Sequence, residues 1–500
     1  MDVFGRTEGV LLATLLYFIG AILTSSATSV TQYGVARVAS ALGSQGLQLA
    51  QMIIVADTSS LSSRALLTST ISSPWILTTW IGPIIGSGFK DLGSIGYRTI
   101  YGLFGLLVPL CSLWLSGVLF WEWKSIRKSK DHEEHHLNQH QKGNVIQKGD
   151  WKLKNSLELW NQTKHQLDLN GIFLLTIGCG LILLPLTLTS TGPTPRSYEF
   201  LFIGFIILIG FWKYESKIAS SPIIPIRLLK QRTIVVGSGV CFWHFMCQYV
   251  YESYFTSFLQ VVRLSSARDA QYIQESYMFT ACISALICGI LVRWSRRYKI
   301  WVIVGIILHS IGAMLMIRTR KLNNPLPELI ISQIIAGFGG GFTTLGAQLG
   351  VQAVVSHQDV GIATAVFLTV TQIGGAVGSS LAGGIWSSKL TLELLNKGIK
   401  KNEVKKIVGD LSYALSFPLN SFTRNSINFA YVEVQRELNW LALFCLLPCL
   451  ICGFLMENVD LSEPNQRDLD TDDSIQDERS PLIIHHSPLR AETSNSRSSL

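Results

Sequence analysis

The sequence predicts an all-α membrane protein, a bundle of about twelve spanning helices, on three observations. First, its 500 residues are 48% hydrophobic and only 15% charged, more apolar and less charged than a soluble globular chain of that size. Second, about twelve apolar runs approach twenty residues, the length that carries a helix across the hydrocarbon core. Third, the basic residues behind the net charge of +8 gather at the ends of those runs, where they orient a membrane protein. A soluble multidomain enzyme is excluded, because no long charged segment remains to build one. The basic balance is topogenic and implies no nucleic-acid partner.

The runs fall near 9–28, 31–55, 65–87, 98–122, 169–190, 197–213, 234–260, 271–294, 300–317, 328–355, 360–387 and 439–456. Before the first stands Asp2-Val3-Phe4-Gly5-Arg6. Its glycine permits a tight turn, and Asp2 and Arg6 can pair with each other or with helix ends, as a conformational latch would. The alternative is a charge cluster that sets topology. The third run carries Gly82-Pro83-Ile84-Ile85-Gly86, where proline frees a carbonyl and glycines admit a neighbouring helix. After the fourth run comes a cytosolic central segment, 123–168. It opens with Lys124, Arg127, Lys128 and Lys130. Its His132, His136 and His140 would share a helix face, yet without fixed partners they read as a solvated linker. Asn161 opens the one N-x-T sequon and falls on the cytosolic side.

After the sixth run, Ser221–Arg232 alternates apolar and basic residues behind prolines, as an interfacial connector would. The Arg293–Arg297 segment sits where a repeat of the opening loop belongs, and Arg318, Arg320 and Lys321 oppose the charge trend as outward-loop residues. Glycine-dense stretches at 336–342 and 373–384 follow no strand, so they are helix-contact surfaces rather than phosphate loops. The polar segment 389–438 reads as an outward or luminal loop. Residues 457–500 read as a disordered cytosolic tail. That tail contains Glu478, Leu482 and Ile483 in the form of an acidic dileucine sorting signal for an adaptor. All nine cysteines lie in or beside apolar runs, which suggests neither a disulfide framework nor a metal site.

Ionisable and amide residues inside apolar runs cost free energy and usually face a cavity. By this criterion the substrate and proton pathway comprises Arg37, Gln48, Gln51 and Asp57 on the second run, with Glu252 and Tyr254 in an aromatic stretch. Gln348, Gln352 and Gln372 complete it from later runs. Gln333 is a further amide on the same run as Gln348 and Gln352. Many amides and rings with few charges suit a large, polar, nearly neutral ligand. Glu252 is the proton-site residue. For each residue alone, an interhelical hydrogen bond is the competing account.

The D-x-x-G-R core resembles the loop between the second and third helices of major facilitator transporters. Asp2–Gly9, Gly43–Ser59, Pro225–Lys230, Tyr254–Val262, Val355–Ala365 and Thr371–Gly378 together resemble fungal siderophore-iron transporters. The resemblance implies a major facilitator bundle of fourteen helices, with about twelve present and the first two missing. It implies a proton symporter that takes up ferric siderophores of the hydroxamate type by alternating access, at the plasma membrane or an endosomal or vacuolar membrane. It also implies that Tyr413 and Phe417, before the last helix, handle substrate. On this reading 1–122 is a four-helix remnant of the first half-bundle. The segment 169–388 holds the remaining helices, and 439–456 the last. The partners are the chelate, protons, the lipid bilayer and a sorting adaptor; no catalytic residue, cofactor or protein-held metal is assigned. A drug or basic amino acid/proton antiporter is the alternative within the class. A non-transporting sensor is the alternative outside it.

Overall fold

In the computed structural model, described for residues 6–59, 61–90, 93–140, 168–188, 195–219, 222–223, 225–322, 324–356, 359–419 and 421–461, the regular structure is entirely helical. The first half holds α1 (Arg6–Ser26), α2 (Val30–Thr58), α3 (Leu61–Ile71), α4 (Pro74–Lys90) and α5 (Gly93–His140). The pair α6 (Leu169–Leu188) and α7 (Pro195–Lys217) follows, then the single turn α8 (Ile226–Leu229). The second half contains α9 (Arg232–Glu252), α10 (Phe255–Val262), α11 (Ala267–Ser295), α12 (Lys299–Thr319), α13 (Leu326–Ala353) and α14 (Val360–Asn396). It closes with α15 (Lys401–Gly409), α16 (Leu411–Leu415) and α17 (Phe422–Leu455).

Ten helical stretches among the described residues are long and apolar enough to cross a bilayer, with α9 and α10 forming one of them, and Asn170–Pro185 is a shorter apolar helix. The remaining expected span, 65–87, is present but bent: α3 and α4 join through turn hydrogen bonds at Ser72 and Ser73. Pro74 lacks the N–H that would continue the ladder. Large apolar side chains such as Leu103, Leu106, Leu107, Leu110 and Trp114 stand exposed along α5, an arrangement that only lipid can cover favourably. The chain is an integral multi-pass membrane protein.

Three boundaries differ from the sequence expectation. The central polar segment is helical as far as His140, because α5 runs straight on from its apolar part; Glu, Lys, Gln and Leu are good helix formers. The connector shrinks to one turn, α8, and Arg227 in it forms an ion pair with Asp359 at the start of α14. The last helix begins at Phe422, and 401–415 forms two short helices where a loop was expected. Side chains cap these starts: Asp410 accepts from Ser412 N at 2.8 Å and Ser421 from Arg424 N at 3.1 Å.

In the second half α9 packs against α14, α17 and α13, while α12 packs against α13 and α17. Glycines permit the close approach. A Cβ at Gly378 of α14 would stand 2.5 Å from Met246 O on α9, and one at Gly312 of α12 would stand 2.5 Å from Ala336 N on α13. Lipid tails are as apolar as leucine, so such backbone contact, rather than water exclusion, holds helices together here. One end of this half is basic. There Tyr298 donates to Glu457 O at 2.6 Å, Lys299 to Phe454 O at 2.8 Å, and Leu461 N to Arg296 O at 3.0 Å.

The first half meets the second along α3 and α4 against α11, and along α2 against α14. Tyr272 donates to Trp80 O at 3.2 Å, and Trp80 lies edge-on to Phe279 with ring centres 5.6 Å apart.

Candidate functional site

Between α4 and α11 lies a cavity of about 410 Å³, lined on one side by Trp75, Thr78, Thr79, Gly82, Pro83, Gly86 and Ser87. Ala267, Arg268, Gln271 and Glu275 line the other side. A Cβ at Gly82, Gly86 or Gly88 would meet no atom within 4 Å, so the Gly-Pro stripe borders open space. That corrects its expected role as a helix-packing surface. Gln271 Nε2 donates to Glu275 Oε1 at 2.8 Å, one turn along α11, and Arg268 lies 5.7 Å from the Tyr272 ring. The wall thus offers hydroxyls, an amide, a guanidinium, a carboxylate and an indole. None of the expected pathway residues lines this cavity.

The second element of the site is the broken helix α9–α10. At Ser253 and Tyr254 the ladder is interrupted, and the Ser253 hydroxyl bonds back to Tyr249 O, a competing interaction that weakens a helix locally. The freed carbonyl of Tyr251 accepts from Arg320 NH1 at 2.8 Å and from Gln435 Nε2 at 3.0 Å. Arg320 is buried, with its guanidinium 3.9 Å from the Phe255 ring centre. Glu252, the last residue of α9, accepts from Gln248 Nε2 at 3.2 Å through Oε2. Its Oε1 is buried without a hydrogen-bond partner among the described residues. Glu252 thus stands beside a helix break with one carboxylate oxygen held by Gln248 and the other buried.

Aromatic rings continue from this break. Tyr254 stacks on Trp386 with centres 4.3 Å apart and planes 4° apart, and Trp386 meets Tyr431 edge-on at 4.9 Å. Beyond them Arg424 donates to Ala414 O at 2.6 Å and to Val261 O at 2.8 Å, tying α16 and the end of α10 to α17. Tyr413 and Phe417 pair edge-on at 5.4 Å, and Lys406 Nζ lies 5.7 Å from the Tyr413 ring.

The amides sit apart from Glu252. Gln348 donates to Met52 Sδ at 3.5 Å, which joins α13 to α2, and Gln352 donates to Thr364 Oγ1 at 3.0 Å. Gln333 is fully buried, with both side-chain polar atoms unpartnered among the described residues. Gln372 is exposed on α14; Gln51 is exposed and Gln48 half-buried on α2. Arg37 is exposed, 6.0 Å from the Tyr101 ring. The structure therefore gathers Glu252 and Tyr254 at the break, Gln348 and Gln352 at the α2–α13–α14 meeting point, and Tyr413 on α16 with Phe417 in the bend that follows it. It does not merge the three groups.

Asp57 lies in α2, its side chain outside the described residues. Asp2, Gly5, the Arg6 side chain, Glu478, Leu482 and Ile483 also lie outside the described residues. Among the described residues, no group of three or more His, Cys, Asp or Glu could hold a metal ion. All nine cysteines are free thiols.

Sequence reasoning passed over Arg268, Gln271, Glu275, Arg320, Trp386 and Arg424. Glu275 carried a usable signal, an ionisable residue inside an apolar run. Arg320 carried another, a basic residue where the charge trend disfavours one.

The profile of the Major Facilitator Superfamily matches residues 1–379. The chain is 33% identical over 477 residues to "MFS siderochrome iron transporter C" of Aspergillus fumigatus, a match that covers 94% of this chain and 76% of that one. It is 35% identical over 475 residues to "Siderophore iron transporter mirC" of Emericella nidulans, covering 93% and 76%. It is 30% identical over 472 residues to "Siderophore iron transporter 2" of Schizosaccharomyces pombe, covering 93% and 77%.

Proposed function

The chain belongs to the Major Facilitator Superfamily and, within it, to the siderophore-iron transporters, and from that membership we infer that it carries ferric siderophores of the hydroxamate type across its membrane, driven by protons. The observation that carries this reading is the cavity between the two halves. Its volume of about 410 Å³ falls in the usual range for organic ligands. A hydroxamate chelate shields its iron and presents carbonyl and hydroxamate oxygens. Arg268 and Gln271 supply donors for those oxygens, and Trp75 supplies a ring face. The iron remains inside its chelate as cargo.

Glu252 takes and releases the coupled proton, and the α9–α10 break lets the outer part of that helix move as the halves rock. Tyr413 and Phe417 receive the chelate on the way in.

The test is uptake of a radiolabelled ferric hydroxamate by iron-starved cells expressing the chain, compared with Glu252→Gln at equal folded protein. Wild-type uptake that collapses when the proton gradient is dissipated, and that Glu252→Gln abolishes, is expected. Unchanged uptake in the variant removes Glu252 from the mechanism. No uptake by the wild type overturns the substrate reading. A second reading, a drug or basic amino acid/proton antiporter, is favoured by the Gly82-Pro83 stripe at the cavity wall. Efflux of a preloaded solute against protons, with no iron uptake, is the outcome that would establish it.

A further inference from the structure

Two histidines that the proposed transport cycle does not use meet at mid-depth in the second half. His244 of α9 and His309, the central residue of α12, face each other Nδ1 to Nδ1 at 3.0 Å. His244 Nε2 meets Tyr277 OH of α11 at 3.4 Å, and His309 Nε2 meets Tyr251 OH of α9 at 3.3 Å. The Tyr251 and Tyr277 rings stand edge-on with centres 6.3 Å apart, so the four side chains form one network of three polar contacts running from Tyr277 through His244 and His309 to Tyr251. All four are buried, none more than 3% exposed. The glycine-rich run of α13 makes room for them: a Cβ at Gly340 would come within 3.1 Å of Tyr277 Cζ, and one at Gly339 within 2.9 Å of His309 Cα.

A neutral imidazole donates through one nitrogen and accepts through the other, while a hydroxyl can do both. Where the two Nδ1 atoms meet, one must donate and the other accept. The contact forces a mixed pair: one histidine carries its proton on Nδ1, the other on Nε2. An imidazolium would donate from both nitrogens and leave both tyrosine protons without an acceptor in the network.

We propose that His244, His309, Tyr251 and Tyr277 form a neutral, one-directional hydrogen-bond network that pins the C-terminal part of α9 to α11 and α12, and so positions Glu252 at the break just beyond it. Tyr251 connects the two features directly: its hydroxyl belongs to the network, and its carbonyl is the one held by Arg320 and Gln435. The network fixes the helix on one side of Glu252, while on the other side α10 is tied to α17 through Arg424 and can shift with it. The four are positioning residues, and this role rests on the reading that Glu252 carries the coupled proton.

The full chain, labelled with nitrogen-15 histidine and held in lipid bilayers, is examined by solid-state NMR, with His244→Gln and His309→Gln to assign the signals. One Nδ1–H and one Nε2–H neutral imidazole are expected. Two like tautomers, or an imidazolium at either position, overturn the network. Tyr277→Phe then removes its link to His244 while keeping the ring's volume. The uptake rate per folded transporter should fall about tenfold with little change in the half-saturation concentration, the pattern expected when binding is retained and a later step is lost. A wild-type rate in Tyr277→Phe overturns the positioning role. If the wild type itself takes up no ferric hydroxamate, the transport reading and the positioning role fall together, while the tautomers still decide the hydrogen-bond network.

Discussion

Tyr251 loses its helical hydrogen-bond partner where α9 ends, and two side chains from distant helices replace it. Arg320 and Gln435 both donate to its carbonyl, and a buried carbonyl left without a donor costs about 1–3 kcal/mol. Arg320→Met should therefore lower stability by about 1–3 kcal/mol and shift thermal unfolding in detergent downward. Arg320→Lys should recover only part of the loss, since an ammonium cannot spread its donors in a plane over the Phe255 ring. An unchanged melting temperature in Arg320→Met would show that Gln435 alone suffices. Glu252 was legible from sequence because it interrupts an apolar run. Arg320 was marked only as a basic residue against the charge trend, and its burial was not legible, because it comes from segments some seventy positions upstream, at Tyr251 and Phe255.

Helix contacts in this bundle depend on which glycines face a neighbour. Gly312 lies against the backbone of Ala336, whereas a Cβ at Gly34 on α2 would meet nothing within 4 Å. Forcing atoms into a packed contact costs about 1–3 kcal/mol or more, so Gly312→Val should separate α12 from α13 and cut the yield of monodisperse protein in size-exclusion chromatography. Gly34→Ala should leave that profile unchanged. Equal behaviour of the two variants would refute the packing account. Glycine density in the sequence located the contact at 336–342 but could not say that part of it accommodates imidazole and phenol rings. The same limit misassigned Gly82 and Gly86, which border the cavity: small residues look alike whether a helix or a ligand lies opposite. The segment 401–415 read as loop because its charged residues hide a short amphipathic pattern, with Val404 and Ile407 buried.

The two halves touch at separated places, and their relative motion is the central claim of the transport reading. Gln348 on α13 reaches Met52 on α2 across 3.5 Å, while Trp80 of α4 contacts Tyr272 and Phe279 of α11. A short bifunctional thiol reagent bridging Met52→Cys and Gln348→Cys should hold the halves at the first contact. Uptake should fall at least about tenfold, the scale on which a lost step registers, and return when the bridge is reduced. Each single-cysteine variant should transport normally. Full activity of the bridged protein would mean that these helices do not part during the cycle.

The sequence by itself determined the class, the number and order of the spans, the family and one ionisable residue at the bend, because hydropathy, charge placement and local motifs are properties of neighbouring residues. It could not determine which polar side chains meet. The cavity wall shared by α4 and α11, the cap on Tyr251 and the histidine–tyrosine network each join residues on helices whose faces are chosen only when the bundle packs. Burial in lipid and protein then leaves every polar atom dependent on whatever partner that packing brings within reach.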